Sequence, residues 1–274
     1  MNPQTKHTAA RFLGSAAAVL TLALASAGTA SAQSLNWDNS WSNPYVAAGY
    51  GDQCTAFSEG RYRSVNGEWL RFRNPQGNAV YPNAGLMFDY AVETSTTYRD
   101  SVPVRGGVIS WKKSGQPGHT GTAERLYADG SVDIAEQNWP TGSGPNAKNL
   151  TAAKLQSRPS TVNGVTTYYS LAGFINPNRP SGIGTLFTTR INSALQLDVA
   201  VLDEDKRSVG VLVALFDGNT VVQNTTGSGS ITPNRSVRVT WNSPQLTRGR
   251  TYTVRFWTTD WRGLKSNKAA TFVW

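Results

Sequence analysis

GHTGTAERLYADGSVDIAEQNW, residues 118–139, decides how the first half of this chain folds. Thr120 to Tyr127 and Ser131 to Glu136 read as strands, and Asp129-Gly130 between them is a turn dipeptide, so the stretch predicts an antiparallel hairpin. The loop length sets which side chains meet. With the four-residue loop Tyr127 to Gly130, Leu126 pairs with Ser131, His119 falls opposite Asn138, and Glu136 is a diagonal neighbour on the same face. With a two-residue loop at Asp129-Gly130, Asn138 takes the diagonal and Glu136 lies four residues off. Both registers stay open, and in either one face gathers an imidazole, a carboxylate and an amide.

Such a face serves a nucleophile, and one is available upstream. Asp52 is expected to cap a helix from Gln53 to Arg63, which puts Cys54 in the first turn. The unpaired backbone N–H groups and positive dipole end of a helix start stabilise a thiolate and lower its pKa from about 8.5. The same N–H groups, with the Gln53 side chain beside them, can hold an oxyanion. Two readings of Cys54 stand: a reactive nucleophile, or a buried structural thiol. A nucleophile needs a base and a third group that fixes the base's tautomer, which His119 with Glu136 or Asn138 can supply. The chain has 1 Cys and 2 His in all. That count excludes zinc sites built from several such ligands, and the expected chemistry needs neither a metal nor an organic cofactor.

Gly51-Asp52-Gln53-Cys54-Thr55-Ala56-Phe57, then Gly118-His119-Thr120-Gly121, Asp129-Gly130-Ser131-Val132 and Ile134-Ala135-Glu136-Gln137-Asn138-Trp139, in this order, resemble the CHAP family of cysteine- and histidine-dependent amidohydrolases and peptidases. The resemblance covers residues 45–176. It implies a papain-like α+β fold with Cys54 as nucleophile, His119 as base and Glu136 as orienting residue. Asn138 is implied as an auxiliary polar group and Gln53 as an oxyanion helper. Family members commonly cut amide bonds in bacterial cell-wall peptides, so the implied partner is peptidoglycan or a cell-wall glycopeptide. Two stretches depart from the pattern. Gly106-Gly107-Val108 stands where the family often has Gly-Asp before a strand, and Arg71 to Arg105 looks unlike its members, which leaves the bond cleaved unassigned.

Lys6 and Arg11 precede an apolar run from Phe12 through Ala25, and the stretch ends in Ala30-Ser31-Ala32. This predicts a signal peptide over 1–32, a secreted protein (extracellular, wall or periplasm), and no transmembrane segment in the mature chain, since the run is shorter than the ~20 residues of a spanning helix. Without those residues 24 Lys+Arg face 17 Asp+Glu, a formal +7. Hydrophobic residues at 39% and aromatics at 10% exclude a disordered chain, and Gly 26 with Pro 13 in no triplet period excludes a collagen-like one.

Residues 33–50 read as an extended lead-in to a first domain at 33–176. A further strand is expected at Thr166 to Phe174, and Pro177 and Pro180 mark a linker at 177–182. Beyond it Ala194 to Val201, Val209 to Phe216, Thr220 to Gln223, Ser236 to Trp241, Thr251 to Thr258 and Thr271 to Trp274 alternate with turn residues, which predicts an all-β sandwich at 183–274. Leu246-Thr247-Arg248-Gly249-Arg250-Thr251-Tyr252 resembles the tyrosine corner of fibronectin type III and Ig-like domains. Residues 180–274 carry 11 basic and 6 acidic side chains, so this part is read either as a module binding the wall, its glycans or an anionic wall polymer, or as a spacer. Three functions follow. The first is a secreted cysteine amidase or endopeptidase of peptidoglycan. The others are a non-catalytic wall-binding protein on the same scaffold and a cysteine peptidase acting on protein or small amides.

Overall fold

The computed structural model describes residues 35–139, 141–203, 208–222, 225–231, 235–242 and 244–274; the segment expected to be a leader lies outside them. The described residues fall into two compact units that meet in sequence at Asn178 and Arg179. Among them, most regular structure is β-sheet and the helices are few.

In the first unit, helix α1 (Pro44–Ala47) replaces the extended lead-in expected there: Asn43 caps it by accepting the N–H groups of Tyr45 and Val46, and Pro44 sits where no N–H is needed. Helix α2 (Cys54–Asn66) starts one residue later than the cap at Asp52 implied. Its N-cap is Gln53, with extended backbone and no side-chain hydrogen bond to the helix. It ends at Gly67, which takes the left-handed φ of 82° that closes a helix at little cost only for glycine. A 3-10 turn at Ala84–Leu86 and helix α3 (Met87–Tyr90) lie in the stretch unlike the family.

The strands are β1 (Thr97–Asp100), β2 (Val108–Lys112), β3 (His119–Leu126), β4 (Val132–Glu136), β5 (Asn146–Leu150), β6 (Ser157–Val162) and β7 (Val165–Pro177), with helix α4 (Ala152–Gln156) before β6. They form one sheet in the order β1-β7-β2-β3-β4-β5, with β6 paired to β7. Successive residues of β2 and β7 divide between two cores, as the period of a strand requires. Val108 and Ile175 join Ala56 and Tyr62 of α2, while Ile109, Trp111 and Phe174 join Ile134, Leu150 and Leu155. Polar ties fix α2 on β3: Ser58 Oγ donates to Thr120 Oγ1 at 3.0 Å, and Arg61 forks onto Glu124 at 2.9 and 2.7 Å.

The hairpin follows neither predicted loop. Leu126 pairs with Val132, so the loop is Tyr127 to Ser131, and a bulge at Glu124 then shifts the register by one, giving Ala123 opposite Ile134 and Thr122 opposite Ala135. The longer loop and the bulge cancel, so the site end of the hairpin keeps the register of the four-residue loop. The strand expected to stop at Phe174 runs on through Pro177. Asn176 pairs with Tyr98, and its side chain accepts the Val104 N–H and donates to Val102 O, so the linker is shorter than read.

The second unit holds β8 (Gly182–Ile183), β9 (Phe187–Ile191), β10 (Ala194–Leu202), β11 (Val209–Asp217), β12 (Thr220–Val221), β13 (Gly227–Ile231), β14 (Arg235–Asn242), β15 (Thr251–Thr259) and β16 (Lys265–Val273). One sheet runs β14-β10-β8 with β9 on β10, the other β12-β11-β15-β16 with β13 on β11. Alternate residues, Leu195 to Val201 in β10, Val209 to Leu215 in β11 and Tyr252 to Phe256 in β15, fill one core between them. The sequence reading missed β8, β9 and β13, and it began the last strand six residues late. Thr247 N–H donates to Tyr252 Oη at 2.8 Å.

Candidate active site

Cys54 is the first residue of α2 and His119 the first of β3, so both stand at element starts, where the Ser58–Thr120 tie brings helix and strand together. The neighbours that act on the Cys54 thiol are the His119 imidazole, through bonding and charge, and the backbone and side chain of Thr120. Burial pushes the thiol's pKa up; the bond and charge of His119, then Thr120, outweigh it and hold the thiol below its ordinary value. Burial pulls His119 down, and its bonds to Cys54 and Glu136 raise it above the ordinary imidazole value. Both directions favour the thiolate–imidazolium pair.

The other end of the ring is held by Glu136. Its Oε2 accepts from His119 Nε2 at 2.9 Å, which leaves Nδ1 for the sulfur. Imidazole and carboxylate are buried at 1% and 0% exposure. Burial pushes the Glu136 carboxyl up, and His119, Arg158 and Lys148 bring it below the usual carboxylate range. Arg158 Nη2 donates to both carboxylate oxygens, at 2.5 and 2.7 Å, and Lys148 Nζ lies 2.5 Å from Oε1. Two indoles flank the group. The imidazole centroid is 5.7 Å from that of Trp111 and 4.3 Å from that of Trp139, and the Arg158 guanidinium lies 5.6 and 5.5 Å from the same two rings.

Asn138 takes no part in this chain of bonds. Its backbone turns left-handed, with φ 58°, and its Nδ2 donates to Gln53 Oε1 at 3.0 Å, while Gln53 Nε2 donates to Asp52 Oδ1. The amides of Asn138 and Gln53 are therefore partners beside the start of α2. Lys148, Arg158 and Trp111 are the residues of the site that sequence reasoning passed over. A buried carboxylate calls for a cation, but Arg125, Lys148, Lys154 and Arg158 all follow His119 within forty residues, and nothing local chooses among them. An open cavity of about 610 Å³ lies against the Pro117 turn before His119, lined by Lys112, Lys113, Asp89 and Tyr168 among others; neither Cys54 nor His119 lines it. Among the described residues no cluster of three or more His, Cys, Asp or Glu is arranged to hold a metal, and no helix is long and apolar enough to cross a membrane.

No curated protein matches the chain. Solved structures similar to it include the crystal structure of Ly7917, 13% identical, covering 80% of this chain and 83% of that one at a TM-score of 0.35. A putative carbohydrate binding protein from Bacteroides uniformis is 8% identical over 64% of this chain and 91% of its own, TM-score 0.28. A β-glucuronidase from Ruminococcus gnavus is 11% identical over 65% and 33%, TM-score 0.24. Likenesses at these scores carry no argument here. The family comparison is specific: residues 41–138 match the CHAP domain, a stretch that holds Cys54, His119, Glu136 and Asn138 but neither Lys148 nor Arg158.

Proposed function

We propose that this protein is a secreted cysteine amidase or endopeptidase that cleaves amide bonds in the peptides of bacterial peptidoglycan, on a papain-like α+β scaffold. The observation that carries the reading is the meeting of Cys54, at the start of α2, with an imidazole that is itself hydrogen-bonded to the buried Glu136 carboxylate, inside the segment that matches a family of amidases and peptidases. In this reading the Cys54 thiolate attacks the amide carbonyl carbon. The tetrahedral oxyanion is met by the Cys54 backbone N–H and by the Gln53 Nε2 proton that Asp52 does not take. Imidazolium His119 gives its proton to the leaving nitrogen, so an amine departs and a thioester remains. Neutral His119 then takes a proton from water, hydroxide attacks the thioester, and the product acid leaves as the thiolate and imidazolium re-form. Glu136 keeps the ring in the tautomer that presents Nδ1, and Asn138 sets the direction of the Gln53 amide.

The basic start, the apolar run from Phe12 through Ala25 and the Ala30-Ser31-Ala32 end of the segment expected to be a leader support export. Residues 183–274 are read as an Ig-like or fibronectin type III-like module; the two-sheet core and the Thr247–Tyr252 bond support this. The test is to incubate the purified protein with sacculi and identify released fragments by mass spectrometry. New amine and carboxyl ends that appear with the native protein and not with Cys54→Ala support the reading. Sacculi left intact by both proteins overturn the substrate, and release by Cys54→Ala overturns the nucleophile.

A further inference from the structure

Glu136 has no exposed surface, and a buried carboxylate is stable only where partners replace its water. Apart from His119, those partners are cations from two elements beyond the matched domain: Lys148 on β5 and Arg158 on β6. We infer that Arg158 and Lys148 are positioning residues of this hydrolase, clamping the Glu136 carboxylate in the orientation that holds His119; the inference rests on the hydrolase reading above and extends the working site past residue 138.

The geometry separates this role from simple charge balance. Arg158 Nη2 bridges both oxygens of the carboxylate, so a rotation of Glu136 breaks a bond to Arg158 as well as the one to His119. The guanidinium is itself fixed. It is 4% exposed and lies over Trp111 and Trp139, the two indoles that flank His119. Arg158 pairs across the ladder with Tyr169, whose ring stands edge-on to Trp139 at 5.1 Å, so β7 braces the same wall. Lys148 pairs with Ile134, two residues from Glu136 on the same strand face, and closes the remaining side at Oε1. The charged and titratable groups that face Glu136 are thus His119 of β3, Lys148 of β5 and Arg158 of β6, with Cys54 of α2 behind the ring.

The sign of the effect follows. Burial drives Glu136 toward its neutral form and these neighbours hold it ionised. Without Arg158 the carboxyl takes up a proton at higher pH, the imidazolium loses its anion, and the thiolate it pairs with becomes harder to form. The rate of Cys54 alkylation by iodoacetamide, measured against pH on the full-length protein, reads this without any wall substrate. In Arg158→Met the acid limb is expected to move up by about one pH unit, a tenfold loss of rate at a fixed pH on that limb. Arg158→Lys, which keeps the charge and loses the planar guanidinium that lies over Trp111 and Trp139, should recover part of the shift. Lys148→Met should move the limb the same way by less, since Lys148 is 34% exposed and its charge is partly screened. A folded Arg158→Met protein whose limb stays in place, with only its melting temperature lowered, overturns the inference and leaves a structural arginine. If Arg158→Met does not fold, Lys148→Met decides: a fixed limb overturns the inference and a raised one upholds it. A native thiol that labels only after denaturation overturns the hydrolase reading and this inference with it, whereas a reactive thiol indifferent to both cations overturns this inference alone.

Discussion

Cys54 is 8% exposed, and its partners, rather than its exposure, distinguish it from an inert buried thiol. Iodoacetamide is expected to modify it in the folded protein with an apparent pKa below that of a free thiol, and labelling confined to the denatured chain would return it to a structural role. Around it the variants should rank by what each bond does. His119→Ala removes the base and should bring turnover to the residual level, roughly 10⁶-fold down. Glu136→Gln should cost several orders less, because an amide oxygen can still accept from Nε2. Asn138→Ala frees Gln53 and should lower kcat by at most the ~10²–10³ that one oxyanion donor is worth. An intact Glu136→Ala enzyme beside a dead Asn138→Ala one would reverse these roles. The meeting of Cys54, His119 and Glu136 was legible in the sequence because each sits in a short motif at the end of an element, the first residue of α2, the first of β3 and the last of β4. Arg158 was not, since it lies 22 residues from Glu136 and reaches it only because β6 folds back on β7.

The register of the hairpin shows how an element can be right at one end for reasons invisible at the other. The loop has one residue more than the longer of the two predicted, and the bulge at Glu124 removes the excess before the chain reaches His119. A bulge has no sequence signature here, while the face it restores was set by alternation. Gly118, just before His119, has φ 83°, and a Cβ there would stand 2.3 Å from Gly85 N and 2.6 Å from Trp111 O. Backbone atoms cannot yield as a side chain does, so Gly118→Ala should lower the melting temperature and displace His119. A protein of native stability and activity would show that the turn before β3 is free to move. Helix α2 carries a second buried acid. Neither oxygen of Glu59 has a hydrogen-bond partner among the described residues, and burial pushes its carboxyl up to about 8. A folded-state pKa above the unfolded one means that the native protein holds a proton the unfolded chain gives up. Stability therefore falls as pH rises from about 4.5 to about 8 and levels off above. Glu59→Gln should flatten that fall, with a gain on the order of a few kcal/mol at pH 8 and little change at pH 4. Parallel melting curves for the two proteins across this range would show that Glu59 has found a partner.

At the scale of the whole molecule, chemistry and charge are divided along the chain. Cys54, His119 and Glu136 lie before residue 179, whereas residues 180–274 have no Cys or His and hold 11 basic against 6 acidic side chains. The all-β texture of that half was legible because every second residue is apolar along Leu195 to Val201, Val209 to Leu215 and Tyr252 to Phe256. Its short strands were not: Phe187 to Ile191 is mostly exposed and Gly227 to Ile231 is glycine and serine, so neither shows alternation. If the second half tethers the first to the wall, the fragment 33–179 should fold and cleave small soluble wall peptides about as well as the full chain. Against sacculi it should fall behind, because a tether raises local concentration without adding a catalytic contact. The advantage of the full chain should also shrink with salt, since attraction by exposed charge weakens as the screening length drops below about 8 Å above physiological ionic strength. Initial rates of fragment release by both proteins over a salt series measure this directly. Equal rates at every salt concentration would reduce residues 183–274 to a spacer. A difference that ignores salt would keep the tether and assign its grip to uncharged contacts, with the exposed Trp261 the first residue to replace.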